Sequence, residues 1–273
     1  MNLKMKESVS NFYDRRGHHA LSHASSKFGA AAIPLFCQSP YRQLEKKWAK
    51  LLASESTVLD IGTGTGLHAI YPALCGAFVE GLDVSEKSIE AAKQLAKTNG
   101  VSDQTNFQVA NVDSGLPFSD NSFDAILISG SLYYFNIEKL MPEILRVLKP
   151  KGSFIALETN GDNFLLNGYR RLKNKRISHR DESTLKKLLG KREIKKLSSY
   201  FKYSKSDYYD ITAFLTASLK WNKTLERHSY FIFSRIDSLL VKFPFFWRLS
   251  FKFIFTGQAP KYAKKKSGLT IDD

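Results

Sequence analysis

The sequence predicts an α/β protein built on a mostly parallel sheet with helices on both faces. Three observations carry this. The β-branched run Thr57–Ile61 ends in a glycine-rich turn, Gly62-Thr63-Gly64-Thr65-Gly66, and a helical pattern follows from Leu67. A second apolar run, Phe78 to Val84, closes on Asp83, 21 positions after Gly62. A third, Phe123 to Ser129, is nearly continuous in Ala, Ile and Leu, the pattern of a strand buried on both faces. Strands alternating with helical stretches point to βαβ units and a parallel sheet.

Taken in order, the chain begins with a charged stretch that holds Phe12-Tyr13-Asp14-Arg15-Arg16-Gly17-His18-His19. It lacks the apolar core of a signal peptide. Ser39 to Ala53 reads as a helix, with Leu44, Trp48, Leu51 and Leu52 at helical spacing. Strand one follows at Thr57. The first crossover helix is expected over Leu67 to Leu74, limited by Pro72, with His68 near its start on the ligand-side wall. Ser85 is an N-cap, Glu86 suits the first turn of a helix running to Lys97, and Asn99-Gly100 ends it. Strand three is expected near Asn106 to Ala110, strand four over Phe123 to Ser129, a helix over Asn136 to Leu148, and strand five over Ser153 to Glu158.

The glycine turn and the acid after strand two also carry chemistry. A strand that feeds a helix through glycines presents backbone N–H groups without Cβ atoms to block approach. A carboxylate about 20 residues further on can hold the two hydroxyls of a ribose. The spacing is Gly-x-Gly-x-Gly, which departs from the Gly-x-Gly-x-x-Gly of dinucleotide sites and disfavours NAD.

Asp60-x-Gly62-x-Gly64-x-Gly66 with Gly81-Leu82-Asp83-Val84-Ser85 resembles motifs I and II of class I S-adenosylmethionine (SAM)-dependent methyltransferases. Leu116-Pro117-Phe118, Ser122-Phe123-Asp124 and Arg146-Val147-Leu148-Lys149-Pro150-Lys151-Gly152 resemble signatures of the ubiquinone/menaquinone-methyltransferase-like (methyltransferase domain 11-type) group. The resemblance covers about residues 57 to 158. It implies a Rossmann-like seven-stranded sheet in the order 3-2-1-4-5-7-6 and SAM as cofactor, with S-adenosylhomocysteine as product. It implies that Asp60, Gly62, Thr63, Gly64 and Gly66 lie at the methionine part. Asp83 with Val84 would meet the ribose, and Asp113, or Asn111 as the alternative, with Val112 the adenine edge. Ser129 would end strand four beside the methyl donor.

On the acceptor side the candidates are His18, His19, Tyr133 and Tyr134, with His179 as a further candidate general base; an exposed arm and ordinary packing are the alternatives. The resemblance further implies a helix, read at Asp181 to Leu189, strand six, read at Ile194 to Tyr203, and strand seven on Phe251, Phe253 and Phe255, stopped by Gly257. A helical cap is expected over about 205–249, within one domain spanning 1–260, followed by a basic flexible tail over 261–273.

The chain has 273 residues, 43% of them hydrophobic, and two cysteines, Cys37 and Cys75. Neither a disulfide framework nor a metal cluster is indicated, and no metal dependence is expected. No run reaches the roughly 20 apolar residues of a membrane span. The expected compartment is the cytoplasm, with the inner face of a membrane as a peripheral location. Charge is uneven: residues 1–160 hold 16 basic and 16 acidic side chains, residues 161–273 hold 25 and 10. Basic residues interleaved with Phe and Trp suit an anionic membrane surface. The expected function is methyl transfer to a small-molecule or lipid-linked acceptor, such as a quinone precursor or a lipid or glycan intermediate. RNA methylation is a second reading, since the same composition suits single-stranded RNA. A catalytically silent SAM-binding scaffold is a third.

Overall fold

The structure, a computed structural model, describes residues 3–22, 26–168 and 187–261. His179 and Asp181 therefore lie outside the described residues, as does almost all of the expected tail.

Helix α1 (Leu3–Ser22) precedes α2 (Ser39–Leu51), whose buried Tyr41, Leu44 and Trp48 face the sheet. Then follow β1 (Thr57–Ile61), the short α3 (Ile70–Leu74), β2 (Phe78–Asp83), α4 (Glu86–Thr98), β3 (Thr105–Val109), β4 (Phe123–Ser129), α5 (Ile137–Val147) and β5 (Leu148–Thr159). The chain continues through α6 (Lys191–Ser199), β6 (Phe201–Tyr209), α7 (Lys223–Leu240) and β7 (Lys252–Pro260). The seven strands lie in the order β3-β2-β1-β4-β5-β7-β6, as the resemblance implied. Six run in one direction, and β7 runs antiparallel between β5 and β6.

Alternate residues along the strands sort into two cores. Leu59, Ile61, Ile126, Ile128, Phe154 and Phe253 pack with Leu140, Met141 and Ile144 of α5. Val58, Leu127, Ile155, Leu157 and Ile254 pack with Leu44 and Trp48 of α2 and with Ile89 and Ala92 of α4. Helices therefore cover both faces, and the central strands are buried throughout.

Several family-signature residues hold this frame. Arg146 donates to the carbonyls of Leu116 at 3.0 Å and Phe118 at 2.7 Å, and pairs with Glu143 at 2.8 Å. Asp124 accepts from the Thr57 N–H at 2.9 Å and pairs with Lys149 at 2.8 Å. The Leu-Pro-Phe and Arg-Val-Leu-Lys-Pro motifs are thus two sides of one loop anchor.

The C-terminal part departs from the sequence expectation. Residues 187–190 are not helical; the helix starts at Lys191, where the Gly190 N–H donates to Glu193 Oε2 at 3.0 Å. Helix α6 therefore takes most of the stretch expected as strand six. Strand β6 occupies Phe201–Tyr209, and its last five residues, Lys205 to Tyr209, pair with β7 rather than open the cap. The cap is confined to residues 210–251. Strand β7 continues through Gly257, which pairs with Phe154 and Ser204. Helix α3 is also shorter than expected, because residues 64–69 form turns.

Within the cap, buried Asp237 of α7 accepts from the Thr212 N–H at 2.7 Å and the Ala213 N–H at 3.1 Å. This pins α7 onto the 3-10 turn Ala213–Leu219. A second 3-10 turn, Pro244–Leu249, is tied to the end of β5: Asn160 Nδ2 donates to the Trp247 carbonyl at 2.9 Å, and Asn163 Nδ2 to that of Leu249 at 2.7 Å.

Candidate functional site

A cavity of about 320 Å³ lies across the carboxyl ends of β1, β2 and β4, where the parallel strand order reverses. Open α/β sheets bind ligands at this crevice. Its floor is the glycine turn. Gly62 has φ +71°, and a Cβ there would lie 2.5 Å from Ser131 Oγ. Gly64 has φ +54°, and its N–H donates to Asp83 Oδ2 at 2.9 Å. The other Asp83 oxygen accepts from the Ser85 N–H at 2.9 Å. Ser85 in turn caps α4 by accepting from the Ser88 N–H at 3.0 Å. One carboxylate thus couples the glycine turn to the start of α4.

Two buried acids, Asp60 and Asp83, face the cavity. Burial raises the Asp83 carboxyl, and the N–H groups of Ser85 and Gly64 oppose the rise. Burial pushes Asp60 up to about 7, against a hydrogen bond from Thr63 Oγ1 at 2.8 Å. The sign for stability follows. The folded chain keeps the Asp60 proton at pH values where the unfolded chain has lost it. Asp60 therefore lowers stability progressively from about pH 4 to about pH 7, with no further change above. We expect Asp60→Asn to stabilise the protein at pH 8 by a few kcal/mol, and far less at pH 4.5, in urea unfolding. The same variant should bind a cationic cofactor more weakly. An equal effect at both pH values would contradict this reading.

Asp60, Gly62, Thr63, Gly64, Asp83, Val84, Asn111, Val112, Asp113 and Ser129 line the cavity together. Asn111 and Asp113 are exposed at its rim, and Val112 is buried between them. Gly66 does not line it: at φ +78° it lets α4 approach, and a Cβ there would lie 2.9 Å from Ala92 Cβ. Tyr134 lines the cavity, whereas Tyr133 is buried in the core on the α5 side. His18 and His19 are exposed and lie away from the cavity, because α1 lies along α4 and turns them outward. Asp14 fixes that helix by accepting from Ser85 Oγ at 2.6 Å, which leaves Tyr13 on the cavity, edge-on to Tyr134 at 6.4 Å.

His68 lines the cavity, the wall position expected for it, and three further residues, Tyr41, Lys252 and Glu158, escaped sequence reasoning. Tyr41 lines the cavity and stacks on His68 at 5.1 Å. Burial, reinforced by Lys252, lowers His68 to about 4, so its imidazole is neutral. Lys252 also lines the cavity, its ammonium 5.4 Å from the Tyr41 ring centre. Glu158 lies beneath, fully buried, and accepts from the Ser131 N–H at 3.0 Å and the Leu132 N–H at 2.8 Å. The signal for Lys252 was its place on a strand that the fold order covers on both sides. Among the described residues no group of three or more His, Cys, Asp or Glu is arranged to hold a metal ion.

The sheet order 3-2-1-4-5-7-6, with a crevice at the strand switch point, is that of a Rossmann-like methyltransferase fold. Residues 59–156 match the family described as a methyltransferase domain. Over 118 residues the chain is 33% identical to the ubiquinone/menaquinone biosynthesis C-methyltransferase UbiE of Geotalea daltonii, covering 42% of this chain and 50% of that protein. The chain spans half or less of the length of the curated relatives it matches. Among solved structures, the [4+2]-cyclase SpnF superposes with TM-score 0.59 at 20% identity, covering 92% of this chain and 95% of that one. The geranyl diphosphate C-methyltransferase of Streptomyces coelicolor, in complex with S-adenosyl-L-homocysteine, superposes with TM-score 0.55 at 15% identity, covering 81% and 80%. At these identities the structural likeness bears on fold alone.

Proposed function

We propose that the protein transfers the methyl group of SAM to a small-molecule acceptor, free or lipid-linked. The supporting observation is a single cavity that joins the glycine turn, two buried acids and an aromatic wall. In this reading the ribose hydroxyls sit on Asp83, the adenine edge on Asp113 or Asn111, and the methionine part over Gly62 to Gly64. The sulfonium makes the methyl electrophilic when the cofactor is bound. The chain's own residues then align the acceptor in line with the departing sulfur and exclude water. Asp60 and Asp83 place negative potential at the cationic end. Tyr13 and Tyr134 form the wall beside the end of β4. A general base is needed only for an acceptor that arrives protonated.

Transfer of tritium from methyl-labelled SAM to a panel of phenolic acids, quinone precursors and isoprenoid diphosphates tests this. Labelled product from at least one acceptor is expected. Cofactor binding without transfer across the panel would favour the silent scaffold instead.

The cap surface supports a peripheral membrane position. Phe245 and Trp221 are 79% and 76% exposed, and Phe231, Phe243 and Leu239 are exposed near Lys220, Lys223, Arg227, Lys242 and Arg248. Apolar rings among cations suit the headgroup boundary of an anionic bilayer. Among the described residues no helix is long and apolar enough to cross a membrane. Wild type should co-sediment with phosphatidylglycerol vesicles at low salt. A Trp221→Ala/Phe245→Ala double variant should bind about tenfold or more weakly, since each ring buries on the order of 1.5–3 kcal/mol of apolar surface. Equal sedimentation of the two would remove the proposal.

A further inference from the structure

The cavity is electrically two-ended. Asp60 and Asp83 stand at the ends of β1 and β2. Lys252 stands at the start of β7, opposite Thr159 of β5 and Tyr209 of β6. Between β1 and β7 lie β4 and β5, three strand spacings or about 14 Å. Because β7 is antiparallel, its N-terminal end meets the carboxyl ends of the parallel strands, and Lys252 reaches the same cavity from the far side.

Lys252 is only 8% exposed. Among the described residues, no carboxylate lies within the 4.0 Å of an ion pair with it. Asp210 is the acid that feels its charge, and burial raises that carboxyl to about 7, so it is a partly protonated neighbour. The ammonium instead lies 5.4 Å from the ring centre of Tyr41 and 5.8 Å from that of Phe251. Such contacts offset part of the cost of burying a cation, but much less than an oxyanion would. His68, stacked on Tyr41 and neutral, adds no competing charge. The result is a buried cation beside flat aromatic walls, open to a cavity.

We propose that Lys252 recognises an oxyanion of the methyl acceptor, a carboxylate, phenolate or phosphate, on a molecule that packs against Tyr41 and His68. This rests on the SAM reading of the acid end. It restricts the acceptor class to acidic small molecules and gives Lys252 the role of a specificity residue. For a phenolate or enolate acceptor, the same ammonium also favours the deprotonated, nucleophilic form.

The test uses calorimetric titration of wild type, Lys252→Gln and Lys252→Arg, each checked for folding by circular dichroism. S-adenosylhomocysteine and 5′-methylthioadenosine, which lacks the amino acid part, are titrated first. Then 4-hydroxybenzoate and inorganic pyrophosphate are titrated with S-adenosylhomocysteine saturating. Both nucleosides should bind Lys252→Gln as they bind wild type. At least one anion should bind wild type saturably, about tenfold or more weakly to Lys252→Gln, and near wild-type strength to Lys252→Arg, as expected for one charge-assisted contact. If Lys252→Gln weakens S-adenosylhomocysteine but not 5′-methylthioadenosine, Lys252 serves the cofactor carboxylate and the proposal is wrong. It is equally wrong if neither anion binds wild type, or if both bind Lys252→Gln unchanged. Failure of both nucleosides on folded wild type overturns the cofactor reading, and this inference with it.

Discussion

Asp83→Ala is expected to weaken S-adenosylhomocysteine binding by at least about 100-fold, the loss of two charge-assisted hydrogen bonds at roughly 1.5–3 kcal/mol each. The side chain also organises the site before any ligand arrives, because its two oxygens hold the Gly64 and Ser85 N–H groups. The variant therefore loses both contact and pre-organisation. Stability should change much less, since removal of a buried carboxyl whose proton affinity is raised offsets the two N–H groups left behind. Asp83→Asn keeps one acceptor oxygen and should fall between the two. Titration of all three proteins, with urea unfolding alongside, checks this. Wild-type affinity in Asp83→Ala would remove the ribose assignment.

Glu158→Ala should produce the largest loss of stability, on the order of 3–5 kcal/mol. Two buried N–H groups would lose their acceptor and a cavity would open beneath them. Those groups belong to Ser131 and Leu132, in the turn that follows β4. The same turn brings Gly130, Ser131 and Tyr134 to the cavity, and Ser131 Oγ donates to the Ile61 carbonyl at 3.3 Å. Cofactor affinity should therefore fall together with stability. Glu158→Gln retains an oxygen at the Oε1 position and should cost about 1 kcal/mol. The midpoint of urea unfolding, at unchanged slope, reads the difference. Alanine and glutamine variants of equal stability would show that Glu158 does not anchor the turn.

The parallel core was legible because its signals are local. Thr57–Ile61, the glycines and Asp83 each report on a strand end or a tight turn, and such constraints are written in neighbouring residues. Ser85 and Asn136 cap α4 and α5 as their residue types predict. The signature motifs were legible for a different reason. Arg146, Leu116 and Asp124 hold the frame, so they identify the fold while lining none of the cavity.

The C-terminal half was read less well. Ile194 and Leu197 lie three residues apart, which fits the turn of α6, but they were absorbed into an expected strand. Strand β6 is the sheet edge, and Lys202, Ser204 and Lys205 are exposed on it, so it lacks the apolar run that marks a central strand. In the candidate site, Tyr41, Glu158 and Lys252 were missed because each acts across the sheet order. Lys252 looked like the solvent side of an alternating strand. It is buried because β7 lies between β5 and β6, a fact of tertiary pairing that no local pattern carries. The histidines at 18 and 19 illustrate the reverse: suitable chemistry in the sequence that the geometry of α1 directs outward.

The central claim is that the cavity across β1, β2 and β4 binds SAM. Calorimetric titration of the wild-type protein with S-adenosylhomocysteine, beside a parallel titration with NAD, tests it most directly. Saturable binding of one S-adenosylhomocysteine per chain, with no heat from NAD, is the predicted result. Binding of NAD, or no binding of S-adenosylhomocysteine by folded protein, would contradict it.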